Sequence, residues 1–194
     1  MNIQIKTNSG ITLVPLDAKL FEQRKIFIRG EINSAVADDF VVQVAVLCKE
    51  DSAAPIDVLL DSHGGEINAG LAIYDIMQTL PVPVRTFCIG TAYSMAAVLF
   101  TGGRERAMLP HSELMLHEPL LGNRVGGNAS SIKFFSESLM ATRKTINKIL
   151  AKHTRKSESE IEKATSYDHY FSAEESIVFG LADRIVGFVD IMGV

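Results

Sequence analysis

The stretch IDVLLDSHGGEINAGLAIYDIMQTLPVPVRTFCIGTAYSMAAVLF, residues 56–100, decides the fold. Ile56 to Leu60 is almost continuously apolar, as strands covered on both faces of a parallel sheet are. Gly64-Gly65 interrupts it. A helical pattern then runs from Ile67 to Leu80 and stops before Pro81 and Pro83. Val84 to Ile89 is a second apolar strand, Gly90 to Tyr93 a turn, and Ser94 to Phe100 the start of another helix. Strand, helix, strand, helix in this order means βαβ units and a mostly parallel sheet.

Outward from this stretch the alternation continues. Lys25 to Ile28 reads as a strand ending near Gly30. Ser34 is expected to cap a helix that carries Val36, Phe40, Val44 and Leu47 on one face, ended by Ala53-Ala54-Pro55. Arg106 to Leu109 and Leu114 to Leu116 are further short strands. The last third differs. Asn128 to His153 is one long helical pattern with Ile132, Phe135, Leu139, Ile146 and Leu150 on one side. Phe134, Met140 and Ile149 lie off that stripe, so this helix is expected to pack on another subunit as well as on its own domain. Ser157 with Glu160 and Ser172 with Glu175 are capping boxes, and Gly180 is placed to end the second of those helices. The chain reads as one domain with a helical arm.

Apolar residues make up 47% and charged residues 22%, the balance of an ordinary folded domain. Nineteen basic and 23 acidic side chains give a net charge of −4, which argues against a dedicated nucleic-acid binder with its basic face. Cys48 and Cys88 lie in apolar runs without metal-ligand spacing and read as reduced core thiols. The start MNIQIKTNSG lacks the basic and apolar regions of a signal peptide. The longest apolar run, Met95 to Phe100, falls far short of the ~20 residues a membrane helix needs. A cytoplasmic location without membrane contact is expected.

Two glycine-marked turns carry the candidate chemistry. In Asp61-Ser62-His63-Gly64-Gly65-Glu66, glycines leave backbone N–H groups exposed at a helix start. Such a turn takes a phosphate, a thioester oxyanion or a peptide oxyanion, and it matches neither the P-loop nor the dinucleotide fingerprint. In Gly90-Thr91-Ala92-Tyr93-Ser94-Met95-Ala96-Ala97, a serine sits at a strand-to-helix turn between small residues. That is the logic of a nucleophile elbow, which aims Oγ outward and brings the next N–H, that of Met95, toward a developing oxyanion. The competing reading is Ser94 as an ordinary helix cap. A nucleophilic serine needs a base. Of the five histidines, His111 and His153 are expected to be solvated and His169 has no evident role. His63 lies in the first glycine turn, and His117 closes the strand Leu114 to Leu116, where active-site residues of parallel sheets gather. Candidate acids are too numerous to choose among.

The segments DSHGGEINAGLAIYDIM (61–77), IGTAYSMAAVLF (89–100), LPHSELMLHEPL (109–120) and YDHYFSAEESIVFGLADRI (167–185) resemble the proteolytic subunit of the Clp protease, the ClpP family, and the similarity runs from Leu20 to Ile185. The resemblance implies an α/β, crotonase-like fold of mostly parallel sheets with flanking helices and a protruding handle over about 121–153. It sets an N-terminal segment 1–19, an axial loop or strand, apart from a peptidase domain 20–194. It implies a serine endopeptidase with Ser94 as nucleophile, His117 as base and Asp168 as orienting acid. The oxyanion donors would be the backbone N–H groups of Gly65 and Met95. It implies no intrinsic cofactor, since ATP is used by a separate AAA+ unfoldase that feeds unfolded polypeptides to seven-membered rings stacked in pairs.

Several positions depart from the family pattern. His63 replaces the proline of S-P-G-G, which is expected to loosen the turn. Tyr93 replaces an alanine and either narrows a substrate subsite or fills a cavity. Glu118 replaces a glutamine beside His117 and is expected to favour the protonated imidazole. Asp57 and Leu59 stand where relatives carry surface tyrosines for unfoldase docking, so that docking face is divergent. Ser166-Tyr167 replaces an acidic-basic pair that links the rings, which predicts weaker ring–ring association. Rival readings are a ClpP-like subunit that needs a second proteolytic subunit, a phage-type head-maturation protease of the same fold, and a crotonase-like acyl-CoA enzyme using the same oxyanion turns.

Overall fold

The computed structural model describes residues 2–7, 10–120 and 126–193. Asn2–Thr7 (β1) and Gly10–Pro15 (β2) pair antiparallel as a two-stranded sheet of their own, within the segment 1–19 for which the resemblance implied an axial loop or strand. A short helix, Leu16–Glu22 (α1), leads into Lys25–Ile32 (β3). The helix Ser34–Glu50 (α2) follows, and its cap is Asn33 rather than Ser34. The Asn33 side chain accepts from the Val36 N–H at 3.1 Å, so Ser34 is the first helical residue.

Ile56–Gly65 (β4), Ile67–Thr79 (α3), Val84–Tyr93 (β5) and Met95–Thr101 (α4) follow in the expected alternation. Both strands outrun their apolar runs. Each continues through the residues read as a turn, because parallel pairing resumes past an irregularity, with Ser62 opposite Ala92. Glu105–Met108 (β6) and Glu113–Leu116 (β7) then lie beside different halves of β5: Arg85 to Cys88 pair with β6, and Thr91 to Tyr93 with β7. Beyond them come Ala129–Thr154 (α5), Glu158–Thr165 (α6), His169–Phe171 (β8), Ala173–Phe179 (α7), Arg184–Ile185 (β9) and Phe188–Met192 (α8). The main sheet has the order β3-β4-β5-β6-β9, with β7 on β5 and the antiparallel β8 on β7. The fold is thus mixed α/β around a largely parallel sheet.

Helices α2, α3 and α4 cover one face. Every residue of α4 is buried, which is why its sequence is apolar all round. Phe40 and Phe100 are fully buried there, and truncating either to alanine costs about 3–5 kcal/mol. A smaller cluster of Leu59, Phe87, Ala107, Val186 and Ile191 lies on the other face. Asp57 is buried in a row across three strands, opposite Lys25 on β3 and Arg85 on β5, with ion pairs of 3.8 and 2.6 Å. Neither Asp57 nor Leu59 is therefore a surface position in this chain. Arg24 adopts φ 60 and donates to the carbonyls of Leu47, Asp51, Ala54 and Pro55, which closes the C-terminal end of α2.

The 26 residues of α5 span roughly 39 Å. Only Ile146, Asn147, Leu150 and Thr154 are buried, all in the C-terminal third. Ile132, Phe134, Phe135 and Met140 are exposed, so the first half of this helix projects from its own domain. Residues 121–125, at the start of the expected handle, lie outside the described residues. His153 is not solvated as expected. Its Nε2 lies 2.8 Å from the Tyr74 hydroxyl, and burial, with Lys152 and Arg106 nearby, pushes its pKa down to about 4.

Candidate active site

Three adjacent strands bring the sequence-distant residues together. Ser94 follows the last residue of β5 with φ 54 and ψ −121, a backbone that an L-residue rarely adopts, and its N–H donates to the Met115 carbonyl of β7 at 2.8 Å. His117 is the first residue past β7, and its Nε2 lies 2.7 Å from Ser94 Oγ. Strand β8 pairs with β7 so that Leu116 stands opposite His169. One step further, Asp168 stands opposite His117, with Oδ1 3.4 Å from Nδ1. That is longer than an ordinary N–H···O bond. A proton on Nδ1 would face Asp168 and leave Nε2 to accept from the serine hydroxyl.

The glycine turn leans against this elbow. Gly64 and Gly65 have φ 94 and φ 153. A Cβ on Gly64 would sit 2.9 Å from Ser94 Cβ and 3.1 Å from the Met95 nitrogen, and one on Gly65 would sit 2.1 Å from the Ile32 carbonyl oxygen. Only glycine permits both approaches. The buried Ser62 holds the turn in the absence of proline: its hydroxyl donates to the Gly30 carbonyl at 2.5 Å and accepts from the Gly64 N–H at 3.0 Å. Met95 opens α4, where the first-turn amides have no partner within the helix. A cavity of about 610 Å³ opens beside the turn, lined by Glu31, Asp61, His63, Gly64, Gly65 and Thr91.

A family model described as Clp protease matches residues 10–188. The chain belongs to the Clp protease family. Clp protease membership supports a proteolytic role, with polypeptide substrates and an AAA+ unfoldase as the typical partner. The match begins ahead of Leu20, at the first residue of β2. Among the described residues no helix is long and apolar enough to cross a membrane.

In this Clp protease chain the remaining candidates fall into place around the three strands. The imidazole in contact with Ser94 Oγ is that of His117, while the His63 ring is stacked on Tyr93 at 5.0 Å between centroids. His111 is exposed, and His169 stacks on Phe171 at 4.1 Å. Glu118 has Arg143 of α5 as its ion-pair partner at 2.9 Å, and Arg143 also reaches Glu162 of α6 at 3.0 Å. Tyr93 donates its hydroxyl to Glu113 at 2.5 Å, and this bond, with burial, pushes its pKa up to about 12. Tyr170 meets Tyr93 edge-on at 5.6 Å. Sequence reasoning missed Glu113 and Tyr170. Their only signal was period-two spacing from His117 and Asp168, which places all four on one face. Cys48 and Cys88 are free thiols, and burial pushes the Cys88 thiol up to about 11, which leaves it inert at neutral pH.

Proposed function

We propose that this Clp protease family chain is a serine endopeptidase, the proteolytic subunit of an ATP-dependent Clp-type protease. The observation that carries the reading is the 2.7 Å contact between Ser94 Oγ, presented by a positive-φ elbow, and His117 Nε2. His117 takes the Ser94 proton as Oγ attacks a peptide carbonyl. The N–H groups of Gly65 and Met95 receive the developing oxyanion, at about 3–4 kcal/mol per donor. His117 then protonates the leaving amine, and water releases the acyl-enzyme. Asp168 holds the imidazole tautomer and stabilises the imidazolium.

The proposal extends to architecture and assembly: a crotonase-like peptidase domain over 20–194, an N-terminal segment 1–19, and a handle over about 121–153. Exposed Ile132, Phe134, Phe135 and Met140 on α5 and Val41, Val42 and Val46 on α2 support self-association into stacked seven-membered rings. Substrates are unfolded polypeptides, ATP is consumed by a separate unfoldase, and the location is cytoplasmic. Hydrolysis of a fluorogenic peptide tests the reading. Ser94→Ala is expected to lower kcat by roughly 10⁴-fold or more. A variant as active as the parent would overturn it.

A second reading is a subunit that acquires its full triad only beside a more typical proteolytic subunit. It is favoured by the 3.4 Å separation of His117 and Asp168 and by the 61% exposure of the Asp168 side chain. Activity that appears only on mixing with such a subunit would select it.

A further inference from the structure

Strand alternation sorts the residues around Ser94 into two faces. Ala92, Leu114, Leu116 and Phe171 point into the core and are buried. Tyr93, Glu113, Met115 and Tyr170 point the other way, and the same alternation carries His117 and Asp168 onto that outer face. Tyr93, Met115 and Tyr170 form one row across β5, β7 and β8, and His117 and Asp168 stand in the next row. The two tyrosine rings meet edge-on across Met115, which is 8% exposed although it lies on the outer face.

The Tyr93 ring is fixed from three directions. Its hydroxyl is bonded to Glu113 at 2.5 Å, its face is stacked on His63 at 5.0 Å, and Tyr170 abuts it at 5.6 Å. His63 belongs to the turn that carries Gly65, and Tyr170 lies two residues past Asp168. The ring therefore stands between the turn that carries Gly65 and the strand that follows Asp168. The phenol–carboxylate bond and the two ring contacts all favour the one observed orientation of the ring.

We propose that Tyr93, braced by Glu113, His63 and Tyr170, is a specificity-determining wall of the substrate cleft that admits only small side chains on the flank of the scissile bond it faces. The inference rests on the peptidase reading of Ser94. The substrate class is then an unfolded polypeptide with glycine, alanine or serine at that subsite. A leucine or phenylalanine there would have to displace a ring held at three points.

The test is a mass-spectrometric cleavage profile on a mixed peptide library, with the assembled wild-type protein, Tyr93→Ala, Tyr93→Phe and Tyr170→Ala. Fluorophosphonate labelling of Ser94 is read on the same samples. At one subsite, Tyr93→Ala is expected to raise the ratio of kcat/KM for leucine over alanine by roughly 10-fold or more. Tyr93→Phe keeps the ring but loses its bond to Glu113, and is expected to shift the same subsite in the same direction by less. Tyr170→Ala removes one brace and shifts the same subsite in the same direction by less. This variant decides the matter if Tyr93→Ala does not fold. An unchanged profile in a labelled Tyr93→Ala or Tyr170→Ala protein overturns the wall. Wild-type protein that neither labels nor cleaves overturns the peptidase reading instead, so the two failures are distinct.

Discussion

His117 and Asp168 face each other one register step beyond the last pair of the β7–β8 ladder, Leu116 with His169, at 3.4 Å between Nδ1 and Oδ1. The antiparallel pairing of a three-residue strand thus sets which carboxylate reaches the imidazole. Asp168→Asn keeps the size of the side chain but removes the charge that selects the tautomer. It is expected to lower kcat by roughly 10³–10⁴-fold with little change in thermal stability, measured on a fluorogenic peptide. A loss of less than about tenfold would mean that another acid orients His117.

Gly65 is where backbone geometry and chemistry meet. A methyl group there would sit 2.1 Å from the Ile32 carbonyl oxygen, at φ 153. Gly65→Ala is expected to destabilise the fold by about 2–4 kcal/mol in denaturant unfolding and to abolish hydrolysis. Gly126→Ala is the control. Among the described residues nothing lies within 4 Å of a Cβ at Gly126, so stability should stay within about 0.5 kcal/mol of the parent.

The exposed face of α5 sets the expectation for assembly. Phe134 is 66% and Met140 55% exposed, and Tyr167 of the loop before β8 is 83% exposed. Without an acidic-basic pair at Ser166-Tyr167, apolar contacts of α5 would carry most of the ring–ring association. Sedimentation velocity is expected to show double rings giving way to single rings as protein is diluted. Phe134→Glu with Met140→Glu should yield single rings at every concentration with an unchanged monomer fold. Double rings that persist at nanomolar protein would contradict this.

His153 gives the stability a pH dependence. Burial pushes its folded pKa down to about 4, against 6.5 for an ordinary imidazole. Below pH 6.5 the unfolded chain takes up a proton that the folded chain takes up only near pH 4. Stability is therefore expected to be highest above pH 6.5 and to fall as pH drops from 6.5 toward 4. Thermal unfolding across that window checks it, with His153→Gln showing a shallower fall. Parallel curves for the two proteins would remove His153 as the cause.

Much of this architecture was legible in the chain itself. The long apolar strands, the stops at Pro81 and Gly180, both capping boxes and the Ser94 elbow are local signals, and each forms within a few residues of where the pattern puts it. What escaped depends on distant partners. Strand β8 is three residues with one buried side chain, Phe171, and exists only because β7 is there to pair with it. The extension of β4 to Gly65 and of β5 to Tyr93 likewise comes from neighbouring strands that resume pairing where glycines suggested a turn. His153 sits in a polar stretch, yet Tyr74 waits for it 79 residues earlier in the chain. His117 lay at a strand end, but the short distance to Ser94 arises from the β5–β7 register, to which local spacing is blind.

Activation of Ser94 as a nucleophile is read by intact-mass analysis after treatment with a fluorophosphonate. One adduct per chain is expected on the wild-type protein, none on Ser94→Ala, and much slower labelling of His117→Ala. A wild-type assembly that takes up no adduct, or a Ser94→Ala protein that is labelled as fast as its parent, would contradict it.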